Sequence, residues 1–445
     1  MRLLEIPWRH LLHKELRSLL AGRAFWVLLL VQSLLTGASF AQALALYGEA
    51  SRTALSAPEL AVGLAPLEGV LVPTFGSLYL GLTLLFPFVA IRQLAQERSD
   101  GTLTLLLQTP TPFAAWLLAK VAALGLAAAA LLAIPASALA LWAAQGGHLA
   151  AGETLTLLLG YALYAFLVAG LAWLAAALMD SAAGAAILVL SVTLGSWALD
   201  FAAAGDRGLW HSLGALSLTA VLRRFESGLL DAADLAGMLL AGGAAMASAG
   251  IWLGLGPHRQ RLGRIAGLVS LLTMLGLLAG ATAISLDATE NRRHSFAPAD
   301  ERTLATVAAP LRLTVYLSPE DPRLTDLERN VLNKLDRALP NLERRVLGTG
   351  VAFATPSADP GADQGEDRYG LIELDYQGRR AQTRSTSPRE ILPLIYDLAG
   401  VTPETGTEAP TYPGYPLIAS GSPAALWFYL LLPALIGLGW WTQRD

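Results

Sequence analysis

Apolar and polar positions alternate along this chain on the scale of whole helices. Eight predominantly apolar runs fall near residues 25–47, 70–91, 121–142, 155–178, 182–199, 235–253, 265–284 and 424–441. Each has about 18 or more residues, enough to cross a bilayer as a helix. Residues 179–181 leave only a tight turn between two of them. Pro87 and Pro135 lie inside runs, where a kink is the commoner reading than a binding group. The first 24 residues have a different period. Leu4, Trp8, Leu11, Leu12, Leu16, Leu19 and Leu20 recur at helical spacing, with Arg2, Arg9, His13, Lys14 and Arg17 on the other face. That pattern predicts a helix lying in the membrane interface, although a plain basic flank before the first span would carry the same charges.

Composition agrees with the pattern. The chain is 54% hydrophobic and 15% charged, with a mean hydropathy of +0.49. Soluble proteins carry about 25% charged residues, so the expected class is a polytopic α-helical membrane protein. Arg2, Arg9, Lys14, Arg17, Arg23, Arg92, Arg98, Lys120, Arg259, Arg261, Arg264 and Arg444 fall on one side of an eight-span arrangement. The opposite side holds Arg52, Arg207, Arg223 and Arg224. The excess of Lys and Arg predicts that both termini are cytoplasmic. No cleavable signal peptide is expected, because the first apolar run follows a long basic segment and is long enough to span. The chain has no cysteine, which excludes disulfides and thiolate chemistry.

Between the second and third runs, Arg92, Glu97, Arg98 and Asp100 are too costly to leave in hydrocarbon, which predicts a water-facing loop over 92–120. Gly101 offers a turn, Leu103 and Leu105–Leu107 are apolar, Pro110 and Pro112 break the stretch, and Lys120 marks the return to the membrane. By composition this is equally an amphipathic surface loop of any polytopic protein. Its order, Gln-Glu-Arg-Ser-Asp-Gly-Thr-Leu-Thr-Leu-Leu-Leu-Gln-Thr-Pro, resembles the first cytoplasmic loop of type-2 ABC export permeases, in particular their gliding-motility and copper-enzyme-maturation branches. Glu97, Gly101, Thr102, Leu105, Leu106, Pro110 and Lys120 carry the match, and together with Arg98 and Asp100 they make up the ATPase-coupling interface that the resemblance implies.

The resemblance implies a type-2 ABC exporter fold. An amphipathic elbow helix (1–24) would precede a six-span core (25–255), then a cytoplasmic loop with a seventh span (256–284) and an eighth span with its tail (422–445). The loop would rest on a separate ATPase subunit, present in two copies and carrying the ATP and magnesium, with no cofactor in this chain. The expected partners are that ATPase, a second permease copy in a homodimer and the lipid bilayer; nucleic acid is not among them. The expected location is a bacterial cytoplasmic membrane. Phe225, Gly228 and Asp231 match a Phe-x-x-Gly-x-x-Asp pattern before the family's sixth span, which implies short helices at the outer surface and an outer gate region.

Residues 285–421 hold 20 acidic and 15 basic residues, more than half of the chain's charge, and are expected to be extracytoplasmic. Their opening resembles that of the gliding-motility ABC auxiliary protein through Asp287, Thr289, Arg293 and Ser295; that protein is much longer, so only its first part has a counterpart here. A strand is expected over 311–317, a helix over 324–339 and a flexible loop over 352–367. A hairpin about Gln377-Gly378 and a helix over 388–398 follow, making a small α/β domain. The Pro- and Gly-rich stretch 402–423 reads as a tether to the last span.

The chemistry that is missing narrows the function. There is no phosphate-cradling Gly-x-x-x-x-Gly-Lys-[Ser/Thr] loop, so any ATPase must be another polypeptide and the chain is not expected to be an enzyme. There is no His-Glu-x-x-His, and His10, His13, His148, His211, His258 and His294 are scattered. The spans carry few ionisable groups, with Asp180 and Asp200 at span ends, unlike a proton-coupled carrier or ion channel. A path of Ala, Gly, Leu and Trp suits an amphiphilic substrate, while the same small residues also signal close helix packing. The expectation is therefore an export permease subunit for an amphiphilic or envelope-related substrate. The alternatives are a non-transporting ABC complex working on envelope proteins, aided by a periplasmic protein, and a lipid-linked glycosyltransferase using Glu49 or Glu59, for which no paired motif is present.

Overall fold

The computed structural model describes residues 5–102, 113–203, 213–214, 217–254, 256–282, 284–318, 321–339, 341–347, 368–402 and 412–443. It divides into two compact units, residues 1–286 with 413–445, and residues 287–412. The first contains eight helices long and apolar enough to cross a membrane: Arg23–Ser56, Leu67–Arg98, Ala115–Ala144, Ala151–Leu178, Ala182–Ala203, Ala232–Leu253, His258–Ala281 and Ser422–Thr442, here spans 1 to 8. An amphipathic helix, Glu5–Ala21, precedes them, and Gly22 alone separates it from span 1.

Each span coincides with an expected apolar run, but several reach further. Span 1 continues to Ser56, and the helix of span 2 runs through the charged residues to Ser99. The expected loop over 92–120 is thus helical at both ends, since a helix also begins at Phe113. Ion pairing explains the difference: charges that neutralise one another need not leave the bundle for water.

Small residues set the closest helix contacts. A Cβ at Gly170 in span 4 would lie 2.5 Å from the carbonyl oxygen of Gly242 in span 6, so the two backbones touch. Span 2 contains π-turns at Leu67–Leu71 and Gly81–Leu85. At the second, Gly81 leaves room for Gln32 of span 1, whose amide donates to Thr36 Oγ1 (3.0 Å) and Ser77 Oγ (3.3 Å). The result is a buried polar bridge between spans 1 and 2. Span 7 has no buried residue at all, and span 8 has few.

The second unit is built on a four-stranded sheet in the order β2-β1-β3-β4. β1 (Leu311–Val315) pairs parallel with β2 (Leu342–Val346) and antiparallel with β3 (Ile372–Tyr376), which turns back into β4 (Arg379–Thr383). The turn places Gln377 and Gly378 at φ of 52° and 84°, the left-handed pair that a two-residue hairpin demands. Alternate residues Leu311, Leu313, Val315, Ile372 and Leu374 face a core completed by Leu327, Val331 and Leu335 from a helical stretch (322–338) and by Ile391 and Ile395 from helix Pro388–Ala399. Strand, helix, hairpin and helix stand as the sequence predicts. The expected loop 352–367 lies outside the described residues.

Candidate functional site

The C-terminal end of span 2 gathers the charged side chains. Lys120, on the second turn of its helix, is fully buried, with Nζ 2.8 Å from Glu15 Oε2 and 3.1 Å from Glu97 Oε2. It also donates to the backbone carbonyl of Gln93 (3.2 Å) and lies over the Trp116 ring. Lys14 completes the group, bonded to Glu97 at 2.5 Å and 3.4 Å from Glu15. Two ammoniums and two carboxylates give a formally neutral cluster, the condition under which such groups tolerate burial. For half-exposed Lys14, burial opposes the charge, but Glu97 and Glu15 outweigh it and hold the ammonium above its usual pKa. The cluster joins the amphipathic helix to spans 2 and 3. Glu97 and Lys120 are therefore not water-facing as the hydropathy pattern suggests.

Arg98 reaches the other way. Its guanidinium donates to the carbonyls of Ala176, Ala177 and Met179 (3.2, 3.2 and 2.8 Å) and pairs with Asp180 at 3.3 Å. These are last-turn carbonyls that a helix cannot satisfy by itself, so Arg98 caps span 4. Consecutive residues thus fasten span 2 to the amphipathic helix, to span 3 and to span 4. Asp100 then ends the helix, Gly101 adopts the left-handed conformation (φ 69°) that closes many helix ends, and Thr102 Oγ1 donates to the Glu97 carbonyl. Leu105, Leu106 and Pro110 lie outside the described residues.

Glu15 is the residue that hydropathy reasoning passes over. It stands between Leu11 and Leu19 on the apolar stripe of an otherwise basic helix. A carboxylate in that place is the signal that a buried cation must meet it.

Phe225, Gly228 and Asp231 come together before span 6 and act as scaffold. Phe225 is fully buried, and a Cβ on Gly160 of span 4 would collide with it at 2.4 Å. Gly228 turns the chain at φ 81°, and Asp231 caps span 6 through the Ala233 amide. They hold the helix Leu218–Glu226 against span 4, where Glu226 accepts a 2.6 Å hydrogen bond from Tyr161. Beside Tyr161 a cavity of about 260 Å³ opens between spans 2, 3, 4 and 6, lined by Leu82, Phe86, Leu124 and Met246.

The stretch expected to be a loose tether is fastened over its second half. Tyr415 accepts from Tyr47 Oη (2.7 Å), donates its amide to the Leu64 carbonyl (3.0 Å) and stacks on His148 at 3.7 Å. Leu417 and Ser420 amides donate to Ser51 Oγ and Gln145 Oε1. Residues 413–421 are therefore a strap across the ends of spans 1, 2 and 3. Among the described residues no three His, Asp or Glu side chains are grouped to hold a metal ion. Comparison with protein-family models, curated proteins and solved structures gives no match.

Proposed function

We propose that the chain is the transmembrane permease subunit of an ATP-driven ABC exporter, moving an amphiphilic or envelope-related substrate while a separate subunit hydrolyses ATP. One observation carries the reading: the neutral cluster of buried Glu15, Glu97 and Lys120 with half-exposed Lys14, and Arg98 alongside it. A segment that sways freely would transmit nothing. Here Glu97 and Arg98 on one side of residues 103–112, and Lys120 on the other, are joined to the amphipathic helix and to spans 2, 3 and 4, so a force reaching these residues moves all of them together. A homodimer and a bacterial cytoplasmic-membrane location, with the 287–412 unit outside, follow from the same reading.

The test uses Thr102→Cys, at the edge of that segment, with a thiol crosslinker in native membranes. The expected product joins the chain to a P-loop ATPase, and Gly101→Pro, which forbids the left-handed turn, uncouples ATP hydrolysis from transport. Labelling of Thr102→Cys from outside the cell, or unchanged coupling in Gly101→Pro, would overturn the proposal. Glu97→Ala is a poorer probe, because it also removes a partner of a buried cation. The strap favours a second reading, a complex that moves its outer unit rather than a substrate. That reading predicts nucleotide-dependent binding of a periplasmic protein with nothing crossing the membrane.

A further inference from the structure

A groove of about 560 Å³ runs between spans 6 and 7, floored by Leu167 of span 4. Its walls are small or apolar: Gly237, Ala241 and Ala244 on one side, Val269, Leu272 and Gly276 on the other. It lies open to the lipid side, since Gly237, Ala241, Val269 and Leu277 are exposed and span 7 buries nothing. At one end stand Arg224 and Asp234, joined through Arg224 Nε and Nη2. That pairing engages Nε and Nη2 and one lone pair on each carboxylate oxygen, so the Nη1 donors and the further lone pairs of Asp234 take no part in it.

We infer that this groove binds one glycerophospholipid with a zwitterionic, amine-bearing headgroup of the phosphatidylethanolamine type. Length is the first reason. From Asp234 to Ala244 the helix rises about 15 Å, half of the roughly 30 Å hydrocarbon core, so the groove accommodates the chains of one leaflet. Its volume lies within the usual range of ligand sites, about 300–1,000 Å³. Charge complementarity is the second reason. An Arg–Asp pair is neutral, so a net anionic headgroup can satisfy only Arg224 and sets its uncompensated charge beside the Asp234 carboxylate. A headgroup with its own phosphate and ammonium satisfies both partners, the phosphate accepting from Arg224 and the ammonium donating to Asp234. A choline headgroup has no N–H to offer the carboxylate. The inference does not depend on the exporter reading, because it needs only a bilayer.

The full-length chain is reconstituted in vesicles of equal phosphatidylethanolamine, phosphatidylcholine and phosphatidylglycerol, and retained lipid is counted by native mass spectrometry. The expected result is one ethanolamine lipid per chain, about tenfold over either competitor, the worth of one charge-assisted hydrogen bond. Arg224→Gln with Asp234→Asn keeps the shape, removes the charges and abolishes the preference. Gly237→Leu with Ala241→Leu fills the groove and removes the lipid, and elution and melting like those of the native chain report intact folding. Gly267→Leu, on the exposed face of span 7 away from the groove, leaves retention unchanged. Equal retention of all three headgroups by the native chain, preference for the anionic lipid, or undiminished preference in the amide pair would overturn the proposal. Should the filled variant not fold, the amide pair decides.

Discussion

Lys120 Nζ lies 2.8 Å from Glu15 Oε2, linking the amphipathic N-terminal helix to span 3 across 105 residues of sequence. Neither side chain has appreciable exposure, so neither can fall back on water. The pair is neutral in itself, Glu97 beside it is matched by Lys14 so that the whole group stays neutral, and the Gln93 carbonyl takes a further hydrogen bond. In such a cluster the number of charges matters more than any single contact.

Lys120→Met is therefore expected to destabilise the fold by about 3–5 kcal/mol, because it leaves two buried carboxylates to share the one ammonium of Lys14, a net negative charge in a buried site. Adding Glu15→Gln to the same chain removes the uncompensated charge, leaves Glu97 paired with Lys14 and recovers part of the loss. Melting followed by size-exclusion detection of the intact protein checks the order: native highest, double variant intermediate, single variant lowest. A double variant less stable than the single one would show that the carboxylates do not share Lys120.

The strap gives a local prediction. Gly414 has φ 67°, and a Cβ there would lie 1.6 Å from the Ala61 carbonyl oxygen. Gly414→Ala combines a left-handed strain of about 1–2 kcal/mol with a backbone collision, so the strap is expected to lift while the spans stay folded. Hydrogen exchange should quicken at the Tyr415 and Leu417 amides, whose acceptors are the Leu64 carbonyl and Ser51, with little change in the melting of the whole chain.

What the sequence discloses follows from how each element earns its stability. The spans are legible because hydrocarbon length and composition dictate them locally. The Gln377-Gly378 hairpin is legible because its turn requires a particular backbone. β2 is not: Glu343, Arg344 and Arg345 are exposed on an edge strand, so no alternation marks it. The candidate site is half legible. Glu97, Gly101 and Lys120 stand out as charges and a turn between apolar runs, but the rule that charges seek water sends them to solvent, and only the distant Glu15 and Lys14 reverse it. The strap is hidden for the same reason, since its partners Tyr47, Ser51, Leu64 and His148 are far away in sequence.

In the unit 287–412, Asp287 organises the opening turn. Its carboxylate accepts from the Thr289 amide and hydroxyl, the His294 amide and the Ser295 hydroxyl. Burial opposes its charge, yet these four hydrogen bonds prevail and hold its pKa below the ordinary carboxylate value. A folded pKa beneath the unfolded value of about 3.9 means the stabilisation is complete above that value and is lost as pH falls through the folded one. Hydrogen exchange at the Thr289 and His294 amides, corrected for intrinsic rate, should stay slow down to about pH 4 and accelerate below it. Asp287→Asn should exchange faster at neutral pH and lose the acid-dependent step.

The contact between spans 4 and 6 yields a ranking of two substitutions that differ in a single atom's position. A Cβ at Gly170 meets the backbone carbonyl of Gly242 at 2.5 Å, and a carbonyl cannot move without shifting its helix. A Cβ at Gly242 meets instead the ring of Phe166 at 2.7 Å, the far end of a side chain that can rotate away, and the Leu167 Cα only at 3.2 Å. Gly170→Ala is accordingly expected to cost about 1–3 kcal/mol, the usual range for overpacking, and Gly242→Ala clearly less. Melting of the two variants side by side checks the order. Equal losses would mean that the two backbones do not touch at Gly170, and a reversed order would place the tight contact on the Phe166 ring instead.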